Sequence, residues 1–137
     1  MADTVRSVEY SYVTVPDEPG AVQELFEALH ESGVNLLAVL GFPAGEGRAQ
    51  IDLVPEDPAG LRAAAERAGL TLSERKRAFL IQGDDRVGAM LDVTTKLAKA
   101  NISITAAAAV ASGTGSFGML LWVTPADLER AAAVLGT

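Results

Sequence analysis

Hydrophobic and polar positions alternate along this chain in two registers, one of period two and one of period 3.6, and the succession of registers runs twice. Residues 8–15 are rich in valine and tyrosine and stop at Pro16, the pattern of a strand. After Asp17-Glu18-Pro19-Gly20, the apolar residues Val22, Leu25, Phe26 and Leu29 fall at i, i+3, i+4 and i+7, one face of a helix that Gly33 stops. Asp17 is placed to cap that helix, and Pro19 suits its first turn. Residues 34–42 are apolar and predict a buried strand, and residues 43–47 a hairpin. Ala49, Ile51 and Leu53 alternate with Gln50 and Asp52, a strand with one wet face. Asp57-Pro58 opens a second helix with Leu61, Ala64, Ala65 and Ala68 facing inward. Gly69 ends it, and residues 70–76 predict a short strand.

The order then repeats: a strand over 78–82, a helix over about 87–99, strands over 102–111 and 117–123 joined by a hairpin at 112–116, and a helix over 125–135. Asp17, Gly20, Val22, Leu25, Phe26, Leu29 and Asn35 recur as Asp85, Gly88, Met90, Val93, Thr94, Leu97 and Ser103, at a constant offset of 68. Leu61, Ala64, Ala65 and Ala68 recur as Leu128, Ala131, Ala132 and Leu135, at 67. The chain is therefore a duplicated module, 1–74 and 75–137. Each copy predicts the α+β, ferredoxin-like βαββαβ pattern, an antiparallel sheet with helices on one face. The alanines of the second helices let helix and sheet approach closely. The second copy stops before its last strand, whose place is either empty or filled by another strand. Modules of roughly 65–70 residues bury a limited core. Side-by-side packing or assembly with a second chain follows.

Charge narrows the choice of partners. The 137 residues carry a net charge of −7, and the one dense basic run is Arg75-Lys76-Arg77. An acidic chain is repelled by phosphate backbones and anionic membranes, so neither nucleic acid nor a membrane is expected as a partner. The basic run reads as a solvated strand or linker. No cysteine is present, which removes disulfides and thiolate chemistry. Residues 1–8 lack the apolar core of a signal peptide, and the apolar stretch 100–111 is too short to span a bilayer. A soluble, cytoplasmic protein is expected.

Catalytic chemistry has little to draw on. His30 is the single histidine and lies within a predicted helix. It has no second imidazole for a metal pair and no Ser/His/Asp arrangement around it. Asp84-Asp85 reads as a turn and helix cap, since two neighbouring carboxylates do not make a cation cage. The glycines of 112–116 join two strands, whereas a phosphate cradle opens a helix. No catalytic residue, metal ligand or cofactor is expected, and the chain does not read as an enzyme.

The loop entering the first helix of each copy is the sharper feature. Gly20 and Gly88 lack a side chain, so a small ligand can approach the backbone. Helix-start N–H groups suit a carboxylate. Asp17 suits an ammonium, and the Asn35 amide, expected near the loop, can serve either group. A purely structural reading is simpler on spacing alone: Pro-Gly makes the turn, Asp17 caps, and Asn35 occupies a bend.

Asp17-Glu18-Pro19-Gly20, the amphipathic helix and Gly33-Val34-Asn35-Leu36 resemble the signature of the ACT domain, a small-molecule-binding regulatory module of ferredoxin-like fold. Two copies cover nearly the whole chain. The resemblance implies a stand-alone tandem ACT-domain protein that senses a free amino acid, at an interface between modules or subunits. It implies contacts from Asp17, Pro19, Gly20 and Asn35, and in the second copy from Asp85, Val87, Gly88 and Ser103. There Val87 replaces the proline, Asn101 the glycine and Ser103 the asparagine. A non-catalytic regulatory protein, most simply a two-fold homodimer, is the first expectation. The alternative is a structural or assembly module whose sheet edges pair with a protein partner without any small ligand.

Overall fold

The computed structural model describes residues 3–137. Six strands and four helices follow one another as β1 (Thr4–Pro16), α1 (Ala21–Glu31), β2 (Leu36–Gly45), β3 (Arg48–Pro55), α2 (Pro58–Ala68), β4 (Lys76–Asp84), α3 (Leu91–Lys99), β5 (Ala106–Ala111), β6 (Ser116–Trp122) and α4 (Leu128–Leu135). A 3-10 turn, Pro125–Asp127, leads into α4, so the predicted last helix starts as a tighter turn. Contacts group the chain into two compact units. One is Glu9–Lys76; the other is Arg77–Thr137 together with the start of the chain up to Val8.

In the first unit, β3 lies between β2 and β1. Both pairings are antiparallel, from Ser11↔Leu53 to Pro16↔Arg48 on one side and from Leu36↔Pro55 to Gly45↔Arg48 on the other. Val13, Leu25, Leu29, Ile51, Leu53, Leu61 and Ala64 form the core between sheet and helices. The predicted strand at 70–76 is an extended segment beside β1, and β4 begins only at Lys76. Ser73 N–H donates to Tyr12 C=O at 2.8 Å, but the return bond, from Tyr12 N–H, goes to Ser73 Oγ at 2.9 Å. A side chain thus takes the place of a ladder carbonyl, and no regular strand pairing develops.

The second unit has the strand order β1-β4-β6-β5. β6 pairs with β4 from Phe79↔Leu121 to Asp84↔Ser116 and with β5 from Ala106↔Trp122 to Ala111↔Phe117. Phe79, Ile81, Val93, Leu97, Leu121 and Ala131 lie at the centre of its core. The missing last strand of this copy is supplied by the beginning of β1, which starts at Thr4 and not at residue 8. Thr4 Oγ1 donates to Gln82 C=O at 3.4 Å, and Arg77 Nε donates to Ser7 Oγ at 3.2 Å, so the two segments run in opposite directions. Ser7 N–H donates to Thr137 Oγ1 at 3.1 Å. Bidentate bonds from Arg86 Nη1 and Nη2 to the two Asp3 carboxylate oxygens, both 3.1 Å, close the segment at its other end. Gly83 makes room for this clasp, because a Cβ there would collide with the Asp3 carboxylate.

The helix ends show which local signals hold. Asp57 caps α2 as expected, accepting from Ala59 N–H at 3.2 Å with Pro58 in the first turn. Asp17 does not cap α1: the N-cap is Gly20, at φ 93°, with no side-chain bond, and Pro19 lies in the turn before the helix. The expected cap at Asp84-Asp85 is likewise absent, since α3 starts only at Leu91 after Met90. Gly33 at φ 69° and Asn101 at φ 56° end α1 and α3 alike, with Val34 N–H and Ile102 N–H returning to Leu29 and Leu97. Asparagine is one of the few side chains that enter this left-handed region, which is why it replaces the glycine there.

The basic run is neutralised locally. Arg75 faces Glu9 at 3.9 Å, Lys76 faces Glu74 at 3.8 Å, and Arg77 meets Glu129 at 2.8 Å. These pairs are surface-exposed and contribute little to stability, but they leave no open cationic patch.

Two predictions follow from the packing. A chain beginning at Glu9 leaves β4 without its β1 neighbour. Amides of residues 77–84 should then exchange at least about tenfold faster, while those of α1 and β3 keep their protection, as hydrogen exchange would read. The second concerns Asp52, a buried carboxylate at 5 % exposure that accepts from Gln50 Nε2 at 2.9 Å. Burial pushes its pKa above the ordinary carboxylate value, against the lowering effects of the Gln50 bond and the Lys76 charge. A group whose pKa is higher folded than unfolded binds more protons when folded. Its stabilisation is complete in acid and is lost as pH rises through the raised value. Asp52→Asn should therefore gain stability over the unaltered chain at pH 7, and the gain should shrink toward pH 3 in urea unfolding.

Candidate ligand-binding site

The loop before α1 is held at both ends by backbone bonds. Asp17 N–H donates to Gly47 C=O in the β2–β3 turn at 2.8 Å, and Glu24 N–H closes the first helical turn on Gly20 C=O at 3.0 Å. The equivalent bond, Asp85 N–H to Gly115 C=O at 3.0 Å, recurs at the same offset in the second unit. Gly20 and Gly88 both sit at positive φ, 93° and 79°. A left-handed residue turns the chain sharply into the helix, whose start has no side-chain cap; Ala21 N–H donates to Glu18 C=O at 3.3 Å within the turn.

Next to this loop lies an open groove of ≈ 320 Å³. Asp17 stands on its rim. Val22 and Phe26 line it from α1, Val39, Phe42 and Pro43 from β2, and Ala49 and Ile51 from β3. The site therefore has a carboxylate and an uncapped helix start at one side and an apolar floor at the other. Of the residues expected at this loop, Asp17 lines the groove, while Pro19 and Gly20 follow it in the turn before α1.

Asn35 does not join them. Asp17 follows Pro16, which pairs with Arg48 at the start of β3, whereas Asn35 precedes Leu36, which pairs with Pro55 at its end. Seven residues of strand separate these levels, about 23 Å at the usual rise. The expectation that Asn35 lies near the loop is corrected on this point. A helix that runs antiparallel to β1 returns the chain to the opposite end of the sheet. There Asn35 Nδ2 donates to Glu56 Oε2 at 2.6 Å, Glu56 N–H returns to Asn35 C=O at 2.9 Å, and both line a second hollow of ≈ 260 Å³ with Asp57 and Gly60.

The second unit is built differently at the same positions. Asp85, Val87 and Gly88 form an exposed loop, with Val87 fully exposed, and Ser103 is exposed at the far end, as Asn35 is. Arg86 occupies the position of Glu18 and clasps Asp3, and those bonds push its already high pKa further up. Its guanidinium lies over the Phe117 ring, 6.0 Å from the centroid. Phe117 stands where the first unit has Ala49, is 4 % exposed, and packs in the core with Ala89 and Val93. Three features escaped the sequence reading: the Asp3–Arg86 clasp, the groove residues of β2, and the Ala49/Phe117 pair. The last carries a usable signal, since the constant offset aligns a methyl with a phenyl ring.

Among the described residues no group of three or more potential metal-ligating side chains is found, and no helix is long and apolar enough to cross a membrane. His30 is exposed in the last turn of α1.

Two ferredoxin-like modules in tandem, with this strand order and these helix positions, constitute a tandem ACT-like fold. No family model matches the sequence, and no curated protein matches it. Solved structures do match in fold. A protein from Bacteroides thetaiotaomicron is similar at a TM-score of 0.81 and 14 % identity, over 96 % of this chain and 88 % of that one. The ligand-free regulatory subunit of aspartate kinase from Thermus thermophilus is similar at 0.66 and 16 % identity, over 99 % and 95 %. The corresponding subunit from Thermus flavus is similar at 0.60 and 14 %, over 99 % and 95 %.

At Gly20 the requirement is conformational, because an added Cβ would meet nothing within 4 Å. Gly20→Ala should destabilise the protein by about 1 kcal/mol, the cost of a side chain in the left-handed region, as read by urea unfolding.

Proposed function

We propose that this chain is a non-catalytic regulatory protein that senses a free amino acid at the first-module loop. The observation that carries the reading is the groove beside Asp17, which joins a carboxylate and an uncapped helix start to an apolar floor. An ammonium group pairs with Asp17, and a carboxylate accepts from the first-turn N–H groups of α1. Pro19 and Gly20 shape the backbone that both groups approach. The aspartate kinase neighbours are named as regulatory subunits, which fits a protein that binds and transmits and does not turn over substrate. Absence of cysteine fits a reducing compartment, the cytoplasm.

The second-module loop of Asp85, Val87 and Gly88 serves structure in this reading, because Phe117 and the Arg86 clasp lie beside it; Ser103 lies at the far end, as Asn35 does, and takes no part at the loop. Asn35 reaches a ligand only when a second copy brings it to the loop, so its role is tied to a homodimer.

One observation favours the assembly reading as a companion. β5 is the outer strand of the second unit, it carries no charged residue, and all six of its residues are exposed. Such an edge is a template for pairing with another strand. A second copy, or a regulated protein partner, is the natural occupant.

Thermal unfolding of the full chain against free amino acids at millimolar concentration tests the function. A ligand at about 100 times its dissociation constant adds roughly 2.7 kcal/mol of stability, a clear rise in midpoint. Asp17→Ala should remove that rise. No rise with any amino acid, together with a stable stoichiometric protein complex, would replace sensing with assembly.

A further inference from the structure

We infer that the groove selects an amino acid with a large apolar side chain, and that Ala49 is the residue that keeps it open. The inference rests on the proposed function, because it assigns the ligand class of that same site.

The two copies supply the comparison within one chain. Ala49 pairs with Val15 and Pro43, and Phe117 pairs with Gly83 and Ala111 at the same register, so the two positions are equivalent in their sheets. In the second unit the phenyl ring is buried, and its Cε1 lies 3.2 Å from where a Cβ on Gly83 would stand. The first unit has a methyl group at that point and a groove beside it. The second copy thus carries its ring on the strand, Phe117, with Thr94 on α3, whereas the first carries its ring on α1, Phe26, and leaves the space over Ala49 open to a ligand.

The lining agrees. Val22, Val39 and Phe42 are 38 %, 44 % and 40 % exposed, three large apolar side chains facing one hollow on an otherwise acidic chain. Covering them releases water from apolar surface, which a glycine or serine side chain is too small to do and a lysine does only with its stem. At ≈ 320 Å³ the groove lies at the small end of ligand sites, which span about 300–1,000 Å³. That size suits one amino acid of leucine, methionine or phenylalanine type. Charge points the same way: Asp17 on the rim attracts an ammonium, so a free amino acid fits better than an apolar carboxylic acid lacking the amine.

Titration calorimetry on the full chain tests this with L-leucine, L-methionine and L-phenylalanine against glycine, L-serine, L-lysine and L-aspartate. At least one apolar amino acid should bind about tenfold or more tightly than every polar one. Ala49→Phe should weaken that binding by about 100-fold by placing a ring in the groove. Because added bulk there can also disturb the core, Phe42→Thr is the companion variant. It changes an exposed strand residue and should weaken apolar binding about tenfold while the urea midpoint holds. Binding restricted to polar or charged amino acids would overturn the groove assignment and leave amino-acid sensing intact. Binding of an apolar amino acid unaffected by Phe42→Thr in a folded variant would also overturn it, as would a Phe42→Thr effect on dimerisation alone. No binding to any amino acid would remove the sensing function and this inference with it.

Discussion

A strand inside a sheet needs a hydrogen-bonding neighbour on each side, and β4 finds one of its two in residues 78 positions earlier in the chain. That pairing shapes the whole molecule. It makes β1 thirteen residues long, more than either unit alone requires, and divides its service between them. It explains why Gly83 has no side chain, why Arg86 stands where the first copy has Glu18, and why Asp3 is held by two bonds.

Most elements were legible because their signals are local. Apolar spacing located α1, α2 and α3, and the pairing of glycine with hairpins located the strand turns. Asp57-Pro58 marked the start of α2 with the very residues that cap it. Asp17 misled because a capping residue is recognised by type, while capping depends on φ and ψ at the helix start. Gly20 took that position in the left-handed region, three residues on. The placing of Asn35 failed for a topological reason. Closeness in sequence suggested closeness to the loop, but an eleven-residue helix intervenes and carries the chain back along the sheet. The docking of residues 4–8 was legible only as an open place: the repeat left the last strand of the second copy either empty or filled by another strand, and residues 72–76, the counterparts of 4–8 at the offset of 68, lie beside β1 in the first unit.

Duplication has left the two copies with the same frame and different interiors. Both retain the loop tether to the hairpin, the left-handed glycine at the helix entrance and the αL residue at its exit. They part at a few positions where size or charge is exchanged: Phe117 for Ala49, Arg86 for Glu18, Thr94 for Phe26. Phe117 adds a ring to the second core and Arg86 makes an internal ion pair, while the Thr94 hydroxyl donates to Met90 C=O at 2.9 Å. In the first copy Phe26 packs against the core from α1, and Ala49 and Phe26 together line the open groove. A division into one receptive and one supporting module arises from these few side chains without any change of fold.

The contact between Ser7 and Thr137 spans 130 residues. Synthesis at about 5–20 residues per second separates their emergence by on the order of ten seconds. Residues 4–8 therefore leave the ribosome well before the residues they pair with. Long-range pairing of this kind raises contact order and slows folding. During that interval the edge of β4 and the beginning of β1 are both unpaired. The newborn chain thus passes through a period of vulnerability to mispairing and chaperone capture that its small size would not suggest.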